Sequence, residues 1–233
     1  MVRDRDLTLL AAARARPLTP APAREAPRVL LVDVALQRLA VIEPGRTVAE
    51  YPVSTASAGI GGEDGSYKTP PGWHRIARRI GDGEPAGRAF ESREPTARVW
   101  HGEADAGDLI LTRVLTLEGL EDGINRGPGV DSIERYIYLH GTNHESRLGT
   151  SASHGCVRLA NRDVTELFER VQEGDLVVVV DTVVGPDASE ATIPDPRTSH
   201  FHYAGLGGSG MTALAQFQSM LGGKVTGSVR AFD

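Results

Sequence analysis

The sequence predicts a mainly β protein with one principal helix, followed by a short C-terminal β-α-β fragment of the kind that opens a Rossmann-like domain. Three observations carry this. Before residue 160 no stretch keeps apolar residues at helical spacing for more than about two turns, while short alternating or β-branched runs recur between glycine and proline turns. After it, Val164, Leu167, Phe168 and Val171 repeat at helical spacing, with Asn161 placed to cap the helix and Gly174 to stop it. Beyond a proline-bearing stretch, the last 35 residues read strand, glycine turn, helix, strand.

Residues 1–27 are dense in Ala, Arg and Pro and read as a disordered arm or linker. The apolar run Leu7 to Ala13 is short and follows a start that mixes Arg3 and Arg5 with Asp4 and Asp6, which does not suit a secretory signal. Residues 28–181 form the main domain. Arg28 to Glu43 holds two β-rich runs around Ala35 to Arg38, Pro44-Gly45 turns the chain, and Thr47 to Ser54 is a third strand. The prolines of Lys68-Thr-Pro-Pro-Gly72 exclude helix and bend the chain before Trp73. Trp73 to Ile80 alternates weakly, Gly81 to Pro95 reads as a loop, and Asp108 to Leu117 regains strand character. Glu118 to Ser132, with four glycines and Pro128, reads as a long mobile loop and a candidate lid. Leu176 to Val180 is a β-branched core strand.

Residues 182–198 read as a linker, and 199–233 as an incomplete unit, since 35 residues cannot bury a core of their own. Within it Gly205, Gly207, Gly208 and Gly210 lead into a helix at Met211 to Leu221. Free backbone N–H groups at such a turn suit a phosphate, so these glycines are candidate nucleotide contacts.

The net charge of −6 over 233 residues argues against a nucleic-acid groove, which needs clustered Lys and Arg. No apolar run is long enough to span a bilayer. One cysteine cannot form an intramolecular disulfide, and it lies in the densest histidine cluster of the chain.

That cysteine, Cys156, is the candidate nucleophile. Tyr136, Tyr138 and His140 alternate with Ile137 and Leu139 in a strand that ends at His140-Gly141, and the chain returns as Ser153-His-Gly-Cys156. If that return is extended, His154 and Cys156 project to one side. A thiol needs a base to become a nucleophile, and His140, His144 and His154 are the candidates. The N–H groups of Gly155 and Cys156 could receive a carbonyl oxygen as it becomes negative. Arg158 could bind a substrate carboxylate, with Tyr138 and Asn143 as further substrate contacts. Two rivals stand beside this: an inert core cysteine, and a zinc or redox-thiol module using His140, His144, His154 and Cys156. The nucleophile reading requires no metal and no cofactor.

Residues 28–181 resemble the L,D-transpeptidase (YkuD-type) catalytic domain in three places. These are His140-Gly141 followed by Ser153-His154-Gly155-Cys156, the upstream Lys68-Thr-Pro-Pro-Gly72 turn, and Asn161-x-Asp163-Val164 at the helix start. The resemblance implies a β-sandwich or mixed sheet and peptidoglycan stem peptides or muropeptides as partners. It also implies an acyl-enzyme at Cys156 on the third residue of a stem tetrapeptide, with release of the terminal D-alanine. By position, His140 would be the base, the Gly141 carbonyl would hold its imidazole, and His154 would orient or assist. Transfer to an amine of another stem gives a 3→3 cross-link; transfer to water makes the enzyme an L,D-carboxypeptidase. A catalytically dead peptidoglycan-binding domain is the remaining alternative.

The stretch His202-Tyr-Ala-Gly-Leu-Gly-Gly-Ser-Gly-Met211 is similar to the start of a Mur ligase of the UDP-N-acetylmuramate-binding type, though Val229 follows Gly227-Ser228 where those ligases carry Asp. The two resemblances imply different compartments: the periplasm or cell envelope for a cross-linker, the cytoplasm for a Mur-type fusion.

Overall fold

The computed structural model describes residues 2–104, 107–181, 200–204 and 224–228. The chain divides into two compact units, Met1–Val183 and Val184–Asp233.

The first unit opens with helices α1 (Val2–Arg14) and α2 (Ala21–Glu25). A meander follows: β1 (Val29–Asp33), β2 (Arg38–Glu43) and β3 (Arg46–Pro52). Then come β4 (Gly72–Ile80), the hairpin β5 (Arg88–Glu91) and β6 (Glu94–Val99), and the long β7 (Ile110–Gly119). The site-bearing segment is β8 (Tyr138–Thr142), a 3-10 turn at Glu145–Arg147, and β9 (Val157–Leu159). Helix α3 (Asn161–Arg170) and β10 (Leu176–Val180) close the unit.

All ten strands join one mixed sheet. Its main path runs β3-β2-β1-β10-β4-β7-β5-β6, and β8 branches from β7 and carries β9. β1 runs parallel to β10, and β9 parallel to β8; the other pairings are antiparallel. A parallel neighbour cannot be reached by a hairpin, so the chain must leave β8, cross over and re-enter beside it. That crossover, residues 143–156, is where the site is built.

Leu30 and Val32 of β1, Leu39 and Val41 of β2, and Val177 and Val179 of β10 face one side, where α3 and the β8-β9 branch bury them with Leu139, Val157, Leu167 and Phe168. The residues between them, Leu31, Ala40 and Val178, are also buried. Helix α1 lies against β2, β3 and β10 with Leu9, Leu10 and Ala13 buried, and burial on both faces explains why β1 and β10 are apolar without alternation. Residues 1–27 are therefore not a disordered arm. Arg5 donates to the buried Asp33 at 2.8 Å, Asp6 pairs with Arg38 and accepts from Thr47 Oγ1 at 2.8 Å, and Trp73 Nε1 donates to the Ala13 carbonyl.

Three further expectations change. The stretch 81–95, read as a loop, contains β5 and the start of β6; its turn uses Ser92 (φ 48°) and Arg93 (φ 72°), without the glycine that usually marks such a turn. The glycine-rich stretch 118–132 is not a mobile lid. It is held by buried side chains: Glu121 accepts from the Trp73 N–H at 2.5 Å, Asn125 donates to the Pro71 and Trp73 carbonyls, and Ser132 Oγ meets His74 Nε2 at 3.0 Å. Asn161 does not cap α3. It is the first helical residue, its amide nitrogen donates to the Thr142 carbonyl and to Glu145, and its own N–H is taken by Glu145 at 2.7 Å.

Of the second unit, β11 (His200–Ala204) and β12 (Lys224–Ser228) pair in parallel. Gly205, Gly207, Gly208, Gly210 and the helix expected at 211–221 lie outside the described residues.

Candidate active site

β8 delivers His140 because its side chains alternate. Leu139 enters the main core, while Tyr138 and His140 face the other side, Tyr138 packing with Phe90 and Val114 near Cys156. His140 is buried, and its Nδ1 donates to the Gly141 carbonyl across 2.7 Å. That bond fixes the tautomer and leaves Nε2 as the basic nitrogen. Burial pushes the imidazole down to about 4; the Gly141 carbonyl pulls upward and the Arg158 charge adds to the fall. Residue 141 must be glycine for a packing reason. A Cβ there would lie 2.7 Å from the Leu111 carbonyl and 2.5 Å from Asn161 Oδ1, so any side chain would force β7 and α3 away from the base.

The return to Cys156 is not extended. Residues 154–156 bend, and Gly155 sits at φ +135°, a conformation that disfavours side chains. The bend separates the two residues expected on one side: Cys156 is partly buried, whereas the His154 side chain is 69% exposed. Ser153 builds the bend, accepting from the Gly155 N–H at 3.2 Å and donating to the Cys156 carbonyl at 2.6 Å. Thr69, from the Thr-Pro-Pro-Gly turn, donates to the Gly155 carbonyl at 2.9 Å and accepts from the Ala56 N–H. The upstream motif is thus a strut beneath Cys156.

The Cys156 thiol donates to the Tyr136 carbonyl at 3.3 Å. Burial pushes its pKa up to about 11, against a main-chain hydrogen bond from Tyr138 and the charge of Arg158. Cys156, His140, His154, Arg158, Arg135 and Asp108 line one cleft of about 220 Å³. Burial thus favours the neutral form of both side chains, the thiol and the imidazole that line this cleft.

Several expected contacts have other roles. Tyr138 is buried, its hydroxyl accepting from Arg93 Nε at 3.0 Å. Asn143 grips the main chain on both sides of Asp108, accepting from the Leu109 N–H at 3.0 Å and donating to the Gly107 carbonyl at 2.6 Å. Arg158 is buried and bonds Asp108 and the Ala152 carbonyl, so its charge is neutralised within the protein. The Gly155 N–H is engaged by Ser153. Among the described residues no group of three or more His, Cys, Asp or Glu is arranged to hold a metal.

Sequence reasoning missed Asp108 and Arg135, and it placed Ser153 in the Ser-His-Gly-Cys motif without giving it a role. Arg135 donates to the carbonyls of Gly61, Gly62 and Lys68, at 2.8 Å for the last, and so fastens the 61–68 loop beside Cys156. No motif marks Asp108 or Arg135; only their partners, 46 to 74 residues away, reveal them.

A buried imidazole and a thiol that line one cleft at a parallel crossover agree with the sequence comparison, in which the model of the L,D-transpeptidase catalytic domain (YkuD) matches residues 27–179. The chain belongs to this family. The L,D-transpeptidase domain is 29% identical over 167 residues to the "Probable L,D-transpeptidase YcfS" of Escherichia coli (strain K12), covering 69% of this chain and 46% of that protein. It is 46% identical over 52 residues to the "Probable L,D-transpeptidase YbiS" of the same organism, covering 22% and 17%. The chain spans less than half the length of these relatives. Among solved structures, L,D-transpeptidase 3 from Mycobacterium tuberculosis in complex with a faropenem-derived adduct is 16% identical, with 66% of this chain and 60% of that chain covered and a TM-score of 0.42. The match to the L,D-transpeptidase family ends before residues 199–233 and lends no support to a Mur-ligase-like unit there.

Proposed function

We propose that the protein is a cysteine acyltransferase that forms an acyl-enzyme at Cys156 on peptidoglycan stem tetrapeptides and passes the acyl group to an amine of a second stem, giving a 3→3 cross-link. The observation that carries this reading is the convergence on one cleft of the Cys156 thiol and the buried His140 imidazole, whose Nδ1 is tied to Gly141.

The neutral forms that burial favours dictate the order of events. As Sγ attacks the carbonyl carbon of the third stem residue, the S–H proton passes to His140 Nε2 and the C–S bond forms. The carbonyl oxygen becomes negative at the bend. Because the Gly155 N–H is held by Ser153, the Cys156 N–H is the oxyanion donor of the expected pair. Collapse breaks the C–N bond, His140 returns its proton to the departing nitrogen, and D-alanine leaves. Tyr67 and Tyr136, both exposed beside the site, offer aromatic walls to a peptide.

The test uses a defined disaccharide-tetrapeptide with intact-mass spectrometry. The expected outcome is an acyl adduct that Cys156→Ala abolishes, D-alanine release, and a cross-linked dimer. Free tripeptide without dimer would assign the protein to L,D-carboxypeptidase chemistry, and no adduct with no D-alanine would overturn the enzyme reading altogether.

A further inference from the structure

Asp108 has no part in the mechanism above, yet it is the most carefully mounted acid in the site. One side chain, Asn143, holds the backbone immediately before and after it. Its Oδ2 bonds the buried Arg158 and also lies 3.4 Å from His154 Nδ1. Arg158 and the Asn143 brackets fix the carboxylate, and the carboxylate in turn selects the His154 tautomer with hydrogen on Nδ1 and a lone pair on Nε2. The His154 ring, edge-on to Tyr67 at 6.1 Å between centroids, borders the same cleft as Cys156 but on its exposed side. The two histidines are thus built for opposite conditions. His140 is buried and tied to the Gly141 carbonyl, whereas His154 stands exposed to solvent at the edge of the cleft.

We infer that Asp108 is a positioning residue that holds His154 as the base of the second half-reaction, so that acylation uses His140 and acyl transfer uses the Asp108-His154 pair. This rests on the acyl-enzyme reading above. In the step, the acceptor amine nitrogen attacks the thioester carbonyl and forms the C–N bond. Its extra proton passes to His154 Nε2. The C–S bond then breaks with its electron pair on sulfur, and the sulfur recovers a proton from the His154 imidazolium, so the resting thiol is restored without an outside acid. The acceptor enters as the free amine, and a base at the cleft mouth takes the one proton it sheds on attack.

The experiment separates the two half-reactions by rapid quench on the full 233-residue chain. The donor is the disaccharide-tetrapeptide, the acceptor a second stem peptide, and the readouts are the initial burst of D-alanine and the fraction of acylated Cys156 at steady state. His154→Gln and Asp108→Asn are expected to keep the burst rate within about threefold of the native value. Turnover after the burst falls by roughly 10²-fold, the lower end of general-base contributions, and acyl-enzyme accumulates. Asp108→Glu restores part of that turnover, Asn143→Ala shifts it in the same direction by less, and Asp108→Asn adds nothing to His154→Gln. Since Asp108→Asn leaves a buried Arg158 unpaired, His154→Gln, which preserves that pair, decides the matter if the former fails to fold. Equal loss of burst and turnover, or turnover untouched by His154→Gln, overturns the inference. A native protein that never acylates refutes the underlying reading instead.

Discussion

The Cys156 thiol rests on the main-chain carbonyl of Tyr136, 3.3 Å away, in the residue pair that leads into the strand carrying His140. Burial pushes its ionisation up to about 11, which favours the proton on sulfur. The rate of alkylation by uncharged iodoacetamide should therefore climb through the alkaline range, with a midpoint well above the ~8.5 of an ordinary cysteine. A midpoint below 7 would establish a resting ion pair and remove the need for a neutral base.

His140 is held near 4, so it remains a free base throughout mildly acidic solution. The acid limb of acylation, followed as D-alanine burst rate against pH, should fall with a midpoint near 4 rather than at the ~6.5 of an exposed imidazole. His140→Gln should lower the burst rate by roughly 10²- to 10⁴-fold while His154→Gln does not.

Acid should also weaken the fold. His74, bonded to the Gly72 carbonyl and Ser132, and His140 are both lowered to about 4 by burial. Between pH 6.5 and 4 the unfolded chain binds protons that the folded chain refuses, so stability is full above pH 6.5 and drains as pH falls toward 4. Each histidine contributes on the order of 3 kcal/mol to that loss. Urea melts at pH 7, 5.5 and 4.5 measure it, and His74→Asn should flatten the dependence by about half; an unchanged slope would falsify the assignment.

Removal of the Asp6 carboxylate should unfasten α1. Asp6 is buried and bonds Arg38 and Thr47, and breaking a buried pair from one side costs roughly 3 kcal/mol. Arg38 keeps Glu50 at 2.9 Å, which softens the loss. Denaturant melts of Asp6→Ala against the doubly replaced Asp6→Leu/Arg38→Met should show the single variant as the less stable of the two.

How much of this was legible in the sequence depended on the range of the interactions. The lone Cys156 amid Gly, Ser and His, the His140-Gly141 strand end, the periodic α3 and the β-branched run of β10 all announce themselves within a few residues. Helix α1 does not, because its ties are tertiary, linking Asp6 to Arg38 and Arg5 to Asp33. The 118–132 loop misleads for the same reason. Its glycines suggest motion, but Glu121 and Asn125 bond strand residues about fifty positions back. The β5-β6 hairpin escapes because Ser92 and Arg93 adopt a turn conformation expected of glycine or asparagine. Asp108 belongs to no motif at all, and Arg158, read as a substrate contact, could be reassigned only once Asp108 was seen against it.

The packing of α1 on the sheet bears on where this protein can be cut. The shared L,D-transpeptidase sequence begins at residue 27, after α1 has ended. A chain trimmed to start there would lose the helix that lies against β2, β3 and β10 and strip Asp33 and Arg38 of their partners Arg5 and Asp6. A sheet apolar on both faces with one face bare invites another such sheet. The limit of family likeness and the limit of the cooperatively folding body lie on opposite sides of a helix.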